Sequence, residues 1–155
     1  MFEVKYLNDV QIEENLLYNS ETNEFYSEPL IESDIVFLAA YLSIGFSSLT
    51  NQSTQIWGYH HKDMWKQKDL CFPEANLGKL ILKKGLADGG DTIRLKQVEN
   101  WETFYDKKKD IVYFGSTEHQ NDIKYVKIFS RSIVGLDKGG EIQELWLQPE
   151  FVNHQ

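Results

Sequence analysis

The sequence predicts an α+β fold, a mainly antiparallel, twisted sheet of five to seven strands with one buried helix packed on a face. β-Branched and aromatic residues crowd the last third of the chain, at 111–114, 123–134 and 142–147, and polar breaks between them are typical of successive hairpins. One run, residues 33–47, is apolar and long enough to form a buried helix. The 155 residues are 41% hydrophobic and 26% charged, which predicts one globular domain over residues 1–155.

The first elements are a strand and a hairpin. Apolar and charged side chains alternate over residues 2–6, which predicts a half-buried strand. Residues 10–18 fit either a short helix capped by Asp9 or the first arm of a hairpin that returns through residues 25–26. The polar turn at 19–23 favours the hairpin.

The helix is predicted to begin at Ser33 or Asp34, since either side chain can cap it. Glu32 and Asp34 would place negative charge at the positive end of the helix dipole. Both faces of residues 35–46 are apolar, so the helix would be buried on two sides.

The middle of the chain adds shorter elements. Residues 55–61 are expected to form a strand, and residues 79–84 and 92–98 to pair as a hairpin across a glycine-containing link. Residues 100–109 place Trp101 at helical spacing from Phe104 and Tyr105, which predicts one or two helical turns. The sequence shows no internal repeat and no linker.

The compartment is predicted to be cytoplasmic. Cys71 is the only cysteine and can form no internal disulfide, and the first residues lack a secretory signal. The longest apolar run, 35–46, is shorter than the roughly 20 residues of a membrane span, so no membrane association is expected.

The net charge of −8 arises entirely within residues 1–56, which hold nine acidic side chains and a single basic one, Lys5. From Trp57 onward the charges cancel. This asymmetry fits either a solvated surface or a face that steers a basic partner. It disfavours nucleic acid as a partner, because neutralising phosphates requires lysine and arginine.

Motifs for catalysis or cofactor binding are absent from the sequence. It contains no phosphate-binding glycine loop and no nucleophile elbow, so we predict no catalytic residue and no cofactor. His60, His61 and Asp63 offer too few ligands for a zinc site, and we predict no bound metal. The four residues 88–91, Asp-Gly-Gly-Asp, are explained as a turn. Binding is therefore favoured over enzymatic activity.

The favoured function is a small, acidic protein inhibitor of the immunity or antitoxin type. Such a protein would neutralise a cognate basic toxin, a nuclease being the expected case, by occluding its active site with carboxylates. The residues expected to pair with lysine and arginine of that partner are Glu13, Glu14, Glu21, Glu24, Glu28 and Glu32.

Two alternatives stay open. A small-ligand-binding domain or enzyme would use an aromatic pocket formed by Trp57, Tyr59, His61, Asp63 and Trp65. A structural accessory protein would instead form homodimers through exposed aromatic side chains.

Overall fold

The regular structure of this protein is almost entirely β-strand. The computed structural model describes residues 1–8, 15–118 and 121–153. Its strands are β1 (Phe2–Tyr6), β2 (Asn15–Asn19), β3 (Glu24–Glu28), β4 (Ile35–Ala39), β5 (Leu42–Phe46), β6 (Ser53–Tyr59), β7 (Lys66–Gln67), β8 (Asn76–Leu82), β9 (Thr92–Arg94), β10 (Trp101–Asp106), β11 (Ile111–Ser116), β12 (Lys124–Phe129), β13 (Ser132–Leu136), β14 (Ile142–Leu147) and β15 (Glu150–Val152). Within the described ranges, the helical segments are two short 3₁₀ turns, Lys62–Met64 and Lys96–Asn100.

These strands form two mixed sheets. The first sheet has the order β15-β2-β3-β6-β5-β4-β9, and the second has the order β1-β8-β12-β13-β14-β11-β10-β7. Most neighbours are antiparallel, but β15 runs parallel to β2, β9 to β4, β8 to β12 and β7 to β10.

The inner faces of both sheets share one hydrophobic core. At one end, Phe2 of the second sheet packs against Phe37 and Phe46 of the first, with ring centroids 5.1 and 5.3 Å away. At the other end, Trp65 lies 4.9 Å from Tyr18 and 5.2 Å from Tyr105, one from each sheet. Aromatic pairs at such distances add attraction beyond the area they bury.

An internal repeat underlies the two sheets. Strands β2 to β6, the first repeat, pair in the order β2-β3-β6-β5-β4, and strands β10 to β14, the second repeat, pair in the corresponding order β10-β11-β14-β13-β12. All four pairings within each repeat are antiparallel. No repeat is predicted from the sequence, and the structure shows one in the order and direction of the strands.

The first turn of each repeat is built in the same way. The side chain of Asn19 accepts hydrogen bonds from the backbone N–H groups two and three residues ahead, and Asp106 does the same at the equivalent position. Asn23 and Asp110 then adopt positive φ values of 59° and 57° at the end of the turn. Asparagine and aspartate tolerate this conformation better than most residues.

The last strand of each repeat also follows one plan. The pairing of β5 with β6 shifts register at Gly45, and the pairing of β13 with β14 shifts beside Gly135. On the far side of each register shift, Trp57 lies opposite Ser43, and Trp146 lies opposite Ile133. Both tryptophans occupy the outer face of their sheet, because strand residues alternate between faces.

The predicted helix at 33–47 does not exist, and the α+β assignment is wrong. The segment forms β4 and β5, an antiparallel hairpin that turns at Ala40 and Tyr41, with Ala40 at φ 56°. Alternate residues Ile35, Phe37 and Ala39 are fully buried. Val36 and Leu38, which alternate with them, are partly buried. The run is apolar throughout because one face of the strand is fully buried and the other is partly buried.

Three further assignments are corrected. Residues 79–84 and 92–98 form no hairpin, because β8 pairs with β1 and β12 while β9 joins β4 in the other sheet. The predicted helical turns at 100–109 are strand β10. The predicted strand at 123–134 is two strands, β12 and β13, which turn at Ser130 and Arg131.

Several predicted elements are confirmed. The strand at 2–6 is β1, and the strand at 55–61 corresponds to β6. The hairpin favoured for the early chain is β2–β3 over residues 15–28, while residues 9–14 of that prediction lie outside the described residues. In the parts of the chain that the structure describes, no helix has the length and apolarity to cross a membrane.

Candidate functional site

Strand β3 places two of the predicted partner-binding carboxylates on one exposed face. Glu24 and Glu28 are exposed, whereas Phe25 and Ser27 between them are buried. Because strand side chains alternate, Glu24, Tyr26 and Glu28 all project from the outer face of the first sheet.

Strand β6 lines this face with aromatic side chains. Glu24 lies opposite Tyr59, and Phe25 lies opposite Gly58. The same register, continued by one residue, places Trp57 beside Tyr26. We call this outer surface, formed by Glu24, Tyr26, Glu28, Trp57 and Tyr59, the β3–β6 face.

A hollow next to Trp57 carries a third acidic side chain. The hollow has a volume of about 470 Å³ and is lined by Glu32, Gln55 and Trp57, among others. The side-chain Nε2 of Gln55 donates a hydrogen bond to the backbone oxygen of Ile31. Its Oε1 is buried and accepts no hydrogen bond from the described residues. A buried acceptor without a donor is costly, so this oxygen favours a partner that brings one.

The other predicted acidic residues lie elsewhere. Glu21 is exposed in the turn between β2 and β3, at the end of the same hairpin. Glu13 and Glu14 lie outside the described residues. The structure therefore groups Glu24, Glu28 and Glu32 around Tyr26 and Trp57, with Glu21 at the tip.

The predicted aromatic pocket is divided by the structure. Tyr59 and His61 line a cleft of about 390 Å³ that opens where the two sheets meet, together with Tyr41, His60, Trp101 and Phe114. Tyr59 thus belongs both to this cleft and to the β3–β6 face, whereas Trp57 lies on the β3–β6 face and does not line the cleft. Trp65 is packed into the core against Tyr18 and Phe25. Asp63 is exposed, 3.6 Å from Nδ1 of His61.

His60, considered from the sequence only as a metal ligand, is one of several cleft residues outside the predicted pocket. Its Nε2 lies 2.8 Å from the hydroxyl of Thr103, which bridges the two sheets, and its ring lies 4.6 Å from that of Phe114. Burial lowers the pKa of His60 from 6.5 to about 4. The imidazole is therefore neutral at physiological pH and offers hydrogen bonding rather than charge.

Trp101 contributes a second polar group to this cleft. Its side chain is 8% exposed, and its indole Nε1 finds no acceptor among the residues described. An apolar cleft with a neutral imidazole and an unpaired indole donor is suited to an uncharged ligand that carries a hydrogen-bond acceptor.

The described parts of the chain contain no group of side chains suited to hold a metal ion. Over residues 1–8, 15–118 and 121–153, no three histidine, cysteine, aspartate or glutamate side chains are grouped so as to hold a metal ion. No family model and no curated protein sequence matches this chain.

Proposed function

We propose that this protein binds a basic protein partner through the β3–β6 face, as an inhibitor of the immunity or antitoxin type. The observation that carries the proposal is the hollow at Trp57. There Gln55, whose buried Oε1 accepts no hydrogen bond from the described residues, lines the same hollow as Glu32, on the face that Glu24 and Glu28 make acidic. Lysine and arginine side chains bring both the N–H donors and the positive charge that this arrangement lacks.

Charge and aromatic area would have separate roles in the complex. The exposed carboxylates attract a basic surface over several ångströms and raise the association rate. Tyr26, Trp57 and Tyr59 supply rigid contact area, and tyrosine and tryptophan are the residues that most often dominate binding energy in interfaces. Occlusion of a toxin's active site would follow if that site were the basic surface engaged.

The partner can be identified by affinity purification from the cells that produce this chain. We expect the wild-type protein to retain a basic protein in stoichiometric amount, and that protein to be toxic when expressed alone. The variant Glu24→Lys/Glu28→Lys should fail to retain this basic protein, because the substitutions reverse the charge on both sides of Tyr26. Glu3→Lys is the matched control, since Glu3 is exposed on β1 of the other sheet. Recovery of the wild-type chain alone, or equal retention by the charge-reversed variant, would contradict the proposal.

A second candidate function is the binding of a small uncharged ligand in the cleft at His60. The unpaired indole donor of Trp101 is the specific observation that favours it. Benzamide, an aromatic ring with a carbonyl acceptor, is a suitable first probe. We expect it to raise the melting temperature of the wild-type protein and to have less effect on Trp101→Phe, which lacks the donor. An equal response of both proteins would contradict this function.

A further inference from the structure

The outer face of the second sheet carries a row of aromatic side chains on three neighbouring strands. Phe104 of β10 lies opposite Tyr113 of β11, and Tyr113 lies opposite Trp146 of β14. Their ring centroids are 6.1 and 4.8 Å apart along the row. The three rings line a hollow of about 320 Å³.

A carboxylate lies buried in the same hollow. Glu144 is 8% exposed and projects from the same face as Trp146, two residues further along the strand. Its Oε1 accepts hydrogen bonds from Nε1 of Trp146 at 2.8 Å and from the hydroxyl of Tyr125 at 3.1 Å. Burial, and next the charge of Glu144, raise the pKa of Tyr125 to about 12, so this hydroxyl remains a donor.

Glu144 lacks a positively charged partner within the described part of the chain. No lysine, arginine or histidine nitrogen there lies within ion-pair distance of its carboxylate. Two neutral donors offset only part of the cost of burying a negative charge. A cation placed in the hollow would supply the missing compensation.

The chain already places one ammonium group against this aromatic row. Nζ of Lys68 lies 4.6 Å from the ring centroid of Phe104, at the end of the row away from Trp146. The row is therefore a surface on which a cation is stable. Tyr113 and Trp146 line the part of the hollow nearer to Glu144, where their rings contact each other and Trp146 also contacts Phe72.

The first repeat provides an internal comparison. Gln55 precedes Trp57 by two residues, as Glu144 precedes Trp146, and each pair lines a hollow on the outer face of its own sheet. The equivalent position therefore holds a neutral amide in one repeat and a buried carboxylate in the other. The buried charge is not required by the architecture of the repeat.

We propose that this hollow of the second sheet is a binding site for a cationic side chain, that of an arginine, with Glu144 as its counter-ion. The planar guanidinium can stack on one of the aromatic rings of the row while its N–H groups reach the carboxylate, which an ammonium does less well. The site lies on the other sheet from the β3–β6 face, so it does not depend on the proposed function of that face.

The test compares two probes of similar shape, of which one carries a positive charge and the other is neutral with a carbonyl oxygen in place of one NH2 group. N-Acetyl-arginine amide carries a guanidinium, and N-acetyl-citrulline amide carries a neutral urea of nearly the same shape. Binding is followed through the NMR signal of the Trp146 indole N–H, which Trp146→Phe identifies by its loss. We expect a saturable shift with the arginine probe and affinity for the citrulline probe lower by about tenfold or more, the usual effect of losing a charged hydrogen bond.

Variants of the site complete the test. Glu144→Gln recreates the state of Gln55 and should weaken arginine binding by about tenfold. Glu3→Gln, the same chemical change on β1, should have no effect. Lys68→Ala leaves the carboxylate in place and removes the competing ammonium, so it should tighten binding; it also keeps the proposal testable if Glu144→Gln does not fold. Equal affinity for the two probes, or no shift of the Trp146 signal, would overturn the proposal.

Discussion

His60 couples the stability of the fold to pH. Its folded-state pKa of about 4 lies below the ordinary value of 6.5, because burial disfavours the charged ring. As the pH falls, the unfolded chain therefore takes up this proton first. The contribution of the neutral ring to the free energy of unfolding is complete above 6.5 and is lost as the pH falls towards about 4. In full, the loss amounts to about 3 kcal/mol.

Replacing His60 should remove this pH dependence. We expect His60→Gln, which can still reach the Thr103 hydroxyl, to show a flatter free energy of unfolding between about pH 7 and about pH 5 than the wild type. Urea unfolding at both pH values measures this change in the free energy of unfolding. His61→Gln is the matched control, and a slope for His60→Gln equal to that of the control would contradict a buried neutral imidazole.

Carboxyl groups with lowered pKa values, which include Asp34, Asp106 and Asp137, act in a lower pH range and do not obscure this measurement. The pKa of Asp106 is lowered by the backbone N–H of Leu70, and that of Asp34 by the hydroxyl of Ser48. A lowered carboxyl pKa contributes stability above the unfolded value of 3.8 that is lost only as the pH falls below it.

At the level of single elements, the long apolar run at 33–47 shows why helix and strand could not be separated by composition. Side chains at 35, 37 and 39 face the core, and side chains at 36 and 38 are partly buried. All of them are apolar, so the sequence fits the periodicity of a helix as well as that of a strand. The decisive feature is the turn at Ala40 and Tyr41, where the sequence contains neither glycine nor proline. The β2–β3 hairpin, with Asn19 and Asn23 in its turn, agrees with the prediction, whereas the glycines at 85–90 wrongly predicted a hairpin between β8 and β9.

Gly58 of β6 is a position where substitution is expected to lower the stability of the fold. It adopts φ 128°, which side chains rarely tolerate, and a Cβ there would clash with the backbone oxygen of Tyr41 in the turn between β4 and β5. We expect Gly58→Ala to lower the free energy of unfolding by about 3 kcal/mol through backbone strain and crowding together.

Gly85→Ala is the control for backbone conformation alone. Gly85 has φ 84° and no atom within 4 Å of the added carbon, so its loss should be about 1 kcal/mol. Urea unfolding of both variants measures the difference. Equal losses would show that β5 and β6 approach less closely at Gly58 than the structure indicates.

At the level of the whole molecule, the two repeats exchange strands. β7 follows the first repeat in sequence but pairs with β10 of the second, and β15 follows the second repeat but pairs with β2 of the first. Phe151 of β15 is buried, with its ring 5.4 Å from that of Tyr18 and 5.7 Å from that of Tyr105. Each repeat thus depends on the other, and we expect them to unfold together.

Phe151→Ala should therefore destabilise both repeats. The expected loss is about 4 kcal/mol, typical of removing a buried aromatic ring. Fluorescence and far-ultraviolet circular dichroism during urea unfolding should still give coincident single transitions. Two separate transitions would contradict the mutual dependence of the repeats.

The repeat is hard to recognise in the sequence because packing in a sheet constrains the alternation of apolar and polar residues more than it constrains which residue stands at each position. The equivalent positions share a few residues, among them Tyr18 with Tyr105 and Trp57 with Trp146, dispersed among unrelated side chains. Local alternation predicted several strands, but the pairing of β9 with β4 or β8 with β12 depends on contacts between distant parts of the chain. The acidic residues were predicted from charge alone, whereas the hollows beside Trp57 and Trp146 require the sheet order.

The most direct measurement of the central claim is the association rate of this protein with its purified partner as a function of salt. We expect the rate for the wild type to fall steeply between about 50 mM and about 500 mM salt, because screening weakens attraction between exposed charges. Glu24→Lys/Glu28→Lys should associate much more slowly at low salt and lose most of that dependence, whereas Glu3→Lys should behave like the wild type. A wild-type rate that does not change with salt, or a charge-reversed variant with the wild-type slope, would contradict binding through the β3–β6 face.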